Sequence, residues 1–173
     1  MKPWKRSLIS VASLYVLGIS SSLLAMADED NHVSRMIKSK SCEGCDLSGA
    51  TLSNSRLRKL MAAGANFTKA YLVGADLQNS TLSGANFKGA NLNGANLSNS
   101  DLSGANFTGA ELELVQLKGA NLNGTVFVNA FLMHASLDAG ALETAALCNT
   151  VLPDATISKR DCADKKLLDL KKP

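Results

Sequence analysis

The sequence predicts an all-β solenoid of square cross-section, and three observations carry that prediction. Between residues 45 and 157 every fifth residue counted from Leu47 is Leu, Phe or Ile, with Ala62 the one exception. Two residues before each stands a small side chain, as at Ala65, Ala85 and Ala105, and two residues after it often Gly, as at Gly84, Gly94 and Gly104. Among these central positions Phe occurs only at Phe67, Phe87, Phe107 and Phe127, a spacing of 20.

A period of five fits no straight element. On an α-helix five residues advance about 500°, so the Leu positions would rotate off any one face. On a flat strand, alternation would send successive Leu side chains to opposite faces. The chain must therefore turn a corner every five residues, and Gly and Asn suit corners because they tolerate unusual backbone angles. Each unit cannot bury its Leu alone, but stacked units share a core. The Phe spacing sets four units per coil and places the four rings in one column flanked by Leu47 and Leu147.

The pattern seen in Ala85-Asn86-Phe87-Lys88-Gly89 and Ala105-Asn106-Phe107-Thr108-Gly109 resembles the pentapeptide-repeat family, over about 115 residues. That resemblance implies a right-handed quadrilateral β-helix. At ~4.8 Å between neighbouring strands, about five to six coils make a rod roughly 27 Å long.

Four segments follow. Residues 1–27 carry Lys2, Lys5 and Arg6, then an apolar run from Leu8 to Leu24, then Ala25-Met26-Ala27. This is the pattern of a secretory signal cleaved between Ala27 and Asp28. The run is short and serine-rich for a membrane span. Those three cations account for the excess of 18 basic over 15 acidic residues, so the chain from Asp28 carries no net charge. Neither a nucleic-acid binder nor a strongly acidic decoy is indicated.

Residues 28–44 form an N-terminal cap and a Cys-x-x-Cys. Val33, Met36 and Ile37 stand at helical spacing behind Asn31, a candidate N-cap. A solenoid end exposes strand edges and core, so this helix is expected to cover it, with Met36 and Ile37 facing the first coil. Cys42-Glu43-Gly44-Cys45 has no second Cys pair or His pair nearby, which argues against zinc, and lacks the strand-to-helix setting of a thioredoxin-like site. Behind a signal, a structural disulfide fits better than redox catalysis.

The repeat itself spans 45–159. At Leu60-Met61-Ala62 large and small residues exchange places, and at Val115 a larger side chain takes the small position while Leu114 takes a corner; the register persists on both sides. Outward positions are mostly Asn, Ser, Thr and Lys as far as Gly124. Val126, Val128, Phe131 and Met133 then turn outward on two adjacent faces, joined by Ala146 and Val151. Such a cluster is either a partner surface or one covered by the chain's own tail.

Residues 160–173 form a C-terminal cap in which Asp161 caps a helix carrying Leu167, Leu168 and Leu170. The ending Cys148-Asn149-Thr150, Pro153-Asp154 and Cys162 resembles that of secreted cyanobacterial and thylakoid-lumen family members, with Ala155 where they usually have Gly. Cys45 and Cys148 lie about five coils apart, roughly 24 Å, and a disulfide tolerates Cα atoms only to ~7 Å. Of the three pairings, Cys42–Cys45 with Cys148–Cys162 is the one open to the solenoid.

No catalytic constellation emerges. His32 and His134 are the only histidines, and there is no G-x-S-x-G, P-loop or H-E-x-x-H. Asp76, Asp101, Glu111 and Glu113 take outward, solvated positions. Asn86 is likewise outward, where substitution is expected to cost little. No cofactor and no metal are expected. The expected function is that of a non-enzymatic interaction or scaffold protein of the periplasm or thylakoid lumen, with a protein partner, no nucleic acid, and no membrane span once the signal is removed. The alternatives are a topoisomerase-binding DNA mimic, which the resemblance raises but the signal and zero charge disfavour, and a thiol-redox protein acting through Cys42 and Cys45.

Overall fold

Parallel pairing between residues twenty apart builds the molecule. In a computed structural model, Val33 and residues 36–164 are described, and four ladders run along the stack. The first joins Ser41, Met61, Thr81, Asp101 and Asn121. The second joins Asp46, Asn66, Asn86, Asn106, Val126 and Ala146. The third joins Thr51, Tyr71, Asn91, Glu111, Phe131 and Val151, and the fourth Arg56, Asp76, Asn96, Gln116 and Ser136. These ladders are the four faces of a square coil. Each face contributes one bridging residue per coil rather than a long strand, because a corner follows within five residues.

The hydrogen bonds repeat with the coil. The N–H of Phe87 donates to the carbonyl of Asn106 at 2.7 Å, and that of Asn86 donates back to Ala65 at 2.9 Å. Corners close through turns such as Ala85 N–H to Leu82 carbonyl at 3.0 Å, with Gly84 in the left-handed region at φ 65°. Every corner from Gly44 to His134 holds a residue in that region, glycine or not.

A second, side-chain layer fixes the corners. Where Asn or Asp precedes a central residue, its side chain accepts from the amide two residues on, as in Asn66 Oδ1 from Thr68 N–H (3.1 Å) and Asn106 Oδ1 from Thr108 N–H (2.9 Å). Where space at the inward corner admits a hydroxyl, it bonds across coils: Ser100 Oγ donates to Leu77 O at 2.8 Å and accepts from Ser80 N–H at 3.1 Å. Among the described residues no buried side-chain nitrogen or oxygen lacks a partner. That matters because an unpaired polar group in this dry axis would cost more than most side chains return.

The axis is filled by the central residues. Phe67, Phe87, Phe107 and Phe127 are fully buried and stack with centroids 4.7, 4.7 and 5.3 Å apart and planes within 11°. That spacing is the strand separation of neighbouring coils. At the exchanged unit Leu60 and Ala62 are both buried while Met61 is 49% exposed. Val115 is buried at the small position, and the bridges Glu111 to Phe131 and Gln116 to Ser136 continue past it.

Three departures from the expected rod occur. At 137–145 the first ladder stops: Gly140, at φ 76°, takes the left-handed place that the register assigns to Ala139, and Leu137 and Leu142 are only partly buried. A one-residue shift lets glycine rather than alanine adopt the costly geometry, and the register returns at the bridge from Val126 to Ala146. After Pro153 the chain leaves the coil altogether. Strand β1 (Thr150–Val151) pairs antiparallel with β2 (Ile157–Ser158), so Ile157, expected in the core column, is 62% exposed and the repeat ends short of 159. At the other end, residues 36–39 make a helical turn closed by Lys40 N–H to Met36 O at 2.8 Å. Met36 is buried and Val33 packs on the core, but Ile37 is 43% exposed rather than facing the first coil. The cleavage residues Ala27 and Asp28, the histidine His32, and Leu167, Leu168 and Leu170 lie outside the described residues.

Candidate interaction surface

The outward apolar residues expected to form one cluster divide between two faces with different fates. On the second face Val128 and Cys148 are buried together, with Val126, Ala146 and Cys162 packed around them. What covers them is the returning tail. Cys148 and Cys162 are joined, with Cα atoms 4.7 Å apart, and Cys42 and Cys45 are joined with theirs 5.2 Å apart. Cys42 is itself a buried member of the main core.

Three consecutive residues hold that tail in place. Arg160 Nη2 donates to the carbonyls of Leu142, at 3.1 Å, and Ala145, while its Nε pairs with Asp161 Oδ2 at 3.1 Å. The Asp161 carboxylate accepts the Leu147 N–H at 2.9 Å, and the helix it was expected to cap lies outside the described residues. Arg160 thus supplies donors to carbonyls at the end of the stack.

The third face stays open. Phe131 is 52% exposed and bridges to Val151, which in turn pairs with Ile157. Directly paired residues project to the same side of a sheet, so these three stand in a row across three adjacent chains, roughly 10 Å in all. Partly exposed Met133 and Pro153 lie two residues along, with His134 N–H donating to Pro153 O at 3.0 Å to hold the register. Leu114 (59% exposed) borders them, and Tyr71 and Val73 (56% and 38%) lie on the same face nearer the N-terminal end. Sequence reasoning missed Ile157, because its period placed that residue inside, and missed Tyr71 and Val73, because it took the outward positions before Gly124 as polar.

The outward carboxylates are not simply solvated. Asp76 pairs with Arg58 at 3.2 Å and accepts from Gln78 N–H at 3.3 Å. Asp101 accepts from Ser103 N–H and Asn121 Nδ2, and Glu111 from Asn91 and Asn93 Nδ2. They staple coils together. His134 occupies an exposed corner at φ 58°. Among the described residues no His, Cys, Asp and Glu group is arranged to hold a metal ion, and no helix is long and apolar enough to cross a membrane.

A square β-solenoid with a filled axis, side-chain staples between coils and a tail-sealed end defines a repeat protein whose usable surface is its outer faces. The family model for pentapeptide repeats matches eight copies, over residues 41–79, 80–115 and 110–152. The chain belongs to the pentapeptide repeat family, whose members form right-handed quadrilateral β-helices. Among solved structures it is similar to a pentapeptide repeat protein of the Arabidopsis thaliana thylakoid lumen, at 34% identity over 51% of this chain and 66% of that one, TM-score 0.31. It is similar also to one from Nostoc PCC 7120, at 24% identity over 66% of this chain and 91% of that one, TM-score 0.45. A plasmid-mediated fluoroquinolone resistance protein, QnrB1, aligns at 20% identity over 75% of this chain and 83% of that one, TM-score 0.36. A comparison with the curated proteins finds no match.

Proposed function

We propose that this chain is a non-enzymatic interaction protein of the periplasm or thylakoid lumen, exported by residues 1–27 and released between Ala27 and Asp28, that binds another protein on its third face. The observation that carries the reading is the row Phe131, Val151 and Ile157 with Met133 beside it. It is the apolar surface that remains after the tail has covered Val128. Exposed aromatic and aliphatic side chains grouped on a flat face mark a contact site. Among the described residues the axis behind the side walls is packed with Leu and Phe, which favours contact on flat faces over chemistry in a cleft. Export is supported by the signal pattern and by two cysteine pairs, which suit an oxidising compartment. Cover of the two ends by residues 28–44 and 160–173 is supported by buried Met36 and by the Arg160 and Asp161 contacts.

The test has two arms. N-terminal sequencing of the protein recovered from a fractionated cell should start at Asp28 in a non-cytoplasmic fraction; an intact Met1 in the cytosol contradicts export. The mature protein and its Phe131→Asp, Ile157→Asp form should then be compared as baits in an extract of that compartment. Proteins retained by the first and lost by the second support the third face as the contact site, and equal retention by both contradicts it.

A further inference from the structure

The third face carries a pattern that is complementary to itself when turned end over end. Its ladder reads Thr51, Tyr71, Asn91, Glu111, Phe131, Val151. A two-fold axis lying in the face, parallel to the bridging residues and between the coils of Asn91 and Glu111, sets the rods antiparallel and keeps each column opposite itself. Tyr71 then meets Phe131, Asn91 meets Glu111 and Thr51 meets Val151. In the column two residues along, Val73 meets Met133 and Asn93 meets Glu113, and at the corner Leu114 meets Gly94. No like charges are opposed. Tyr71 faces Phe131, Val73 faces Met133, and each carboxylate faces an amide that can donate to it, as Asn91 and Asn93 already do to Glu111 within one chain.

The charge distribution favours the same orientation. Over the chain from Asp28, residues 28–88 carry eight basic and six acidic side chains, and residues 89–173 seven basic and nine acidic. A rod positive at one end and negative at the other attracts an antiparallel copy and repels a parallel one. We infer that the occupant of the third face is a second copy of this chain, in an isologous antiparallel dimer centred between the Asn91 and Glu111 coils. The inference rests on the third face being the contact surface and names its partner. Closed two-fold pairing uses the same patch on both subunits, so the contacts between Tyr71 and Phe131 occur twice and flank the axis. They stand about 14 Å apart along each rod, three coils at the strand spacing.

The register makes the test specific. The mature protein with its disulfides intact is examined by sedimentation equilibrium between 1 and 200 µM (on the order of typical transient-dimer affinities). Phe131→Asp and Tyr71→Lys each replace an exposed outward residue and should each shift the mass to the monomer. The two together should restore the dimer, because each Asp then faces a Lys of the partner copy. Restoration in the double variant alone supports the proposal. A wild-type chain that stays monomeric throughout, or a dimer that survives Phe131→Asp, or a double variant that remains monomeric, overturns it. A photo-reactive residue at position 131 separates this from failure of the interaction surface itself. Cross-links to a different protein with a monomeric wild type overturn self-pairing and leave the surface standing, whereas no cross-link at all removes both.

Discussion

Asp161 and Leu147 hold each other twice. The Asp161 N–H donates to the Leu147 carbonyl at 2.9 Å, and the Leu147 N–H donates to Asp161 Oδ2 at 2.9 Å. With the neighbouring disulfide, this pair turns a tail of fourteen residues into the cover of the last coil. Asp161→Ala removes the acceptor from an amide with no other partner nearby and should cost about 1–2 kcal/mol, discounted for partial exposure. Amide exchange at Leu147 should rise while that at Phe87 is unchanged; equal protection at Leu147 in both proteins would contradict the latch.

The Phe column and the Asn beside it separate packing from stapling. Phe87→Ala removes the second ring of a stack of four and should cost about 3–5 kcal/mol. Asn86, outward, is worth more than its exposure suggests: its Oδ1 accepts from Lys88 N–H at 3.1 Å and its Nδ2 donates to Thr68 Oγ1 at 3.0 Å. Asn86→Ala should therefore cost about 1–2 kcal/mol rather than a few tenths. Denaturant unfolding of both variants checks the ranking, and equal midpoints would be inconsistent with it.

Corner residues with side chains in the left-handed region carry strain that glycine relieves. Leu114 (φ 59°) and Ala155 (φ 64°) are both exposed. The left-handed geometry costs an L-residue ~1–2 kcal/mol, and glycine's greater freedom in the unfolded chain takes back ~0.5–1. Leu114→Gly and Ala155→Gly should each stabilise by about 0.5–1 kcal/mol. Gly84→Ala should do the reverse although no atom lies within 4 Å of the added methyl, which isolates backbone strain from crowding. A rise in melting temperature for Gly84→Ala would refute this.

The tip of the hairpin between β1 and β2 responds to acid. Asp154 Oδ1 accepts from Thr156 Oγ1 at 2.7 Å and from Thr156 N–H at 3.0 Å, and the side-chain bond first, then the backbone one, holds its carboxyl below the ordinary 3.8. A folded value below the unfolded one contributes stability above the unfolded value, and that contribution is lost as pH falls through the folded one. Thr156 amide protection should hold from neutral pH to about 4 and fall below it. In Thr156→Val the Asp154 carboxyl should titrate higher; no change in its titration by NMR would show that the threonine does not set it.

How much of this was legible in the sequence depends on the reach of each interaction. The core column was legible because Phe67 to Phe127 repeat at the coil length, and the cysteine pairing because distance along the rod excludes the alternatives. Ile157 was misplaced because a periodic pattern does not announce where it stops: Pro153 and the left-handed Ala155 end the coil, yet Ile157 keeps the period. The bond between Asp161 and Leu147 was not legible, because the two are fourteen residues apart in the chain and no local pattern links them. Val128 and Phe131 looked alike because outward position is all the register reports; that the tail covers only one of them is a fact of tertiary structure.

Cross-linking from position 131 tests most directly whether the third face is where this protein meets its partner. A photo-reactive phenylalanine analogue is placed at position 131 and, separately, at Ser98 on the fourth face, in the full exported chain, and irradiated in its own compartment. The account predicts discrete cross-linked protein adducts from position 131, including one of twice the chain's mass, and none from position 98. Adducts of equal yield from both positions, or none from position 131, would contradict it.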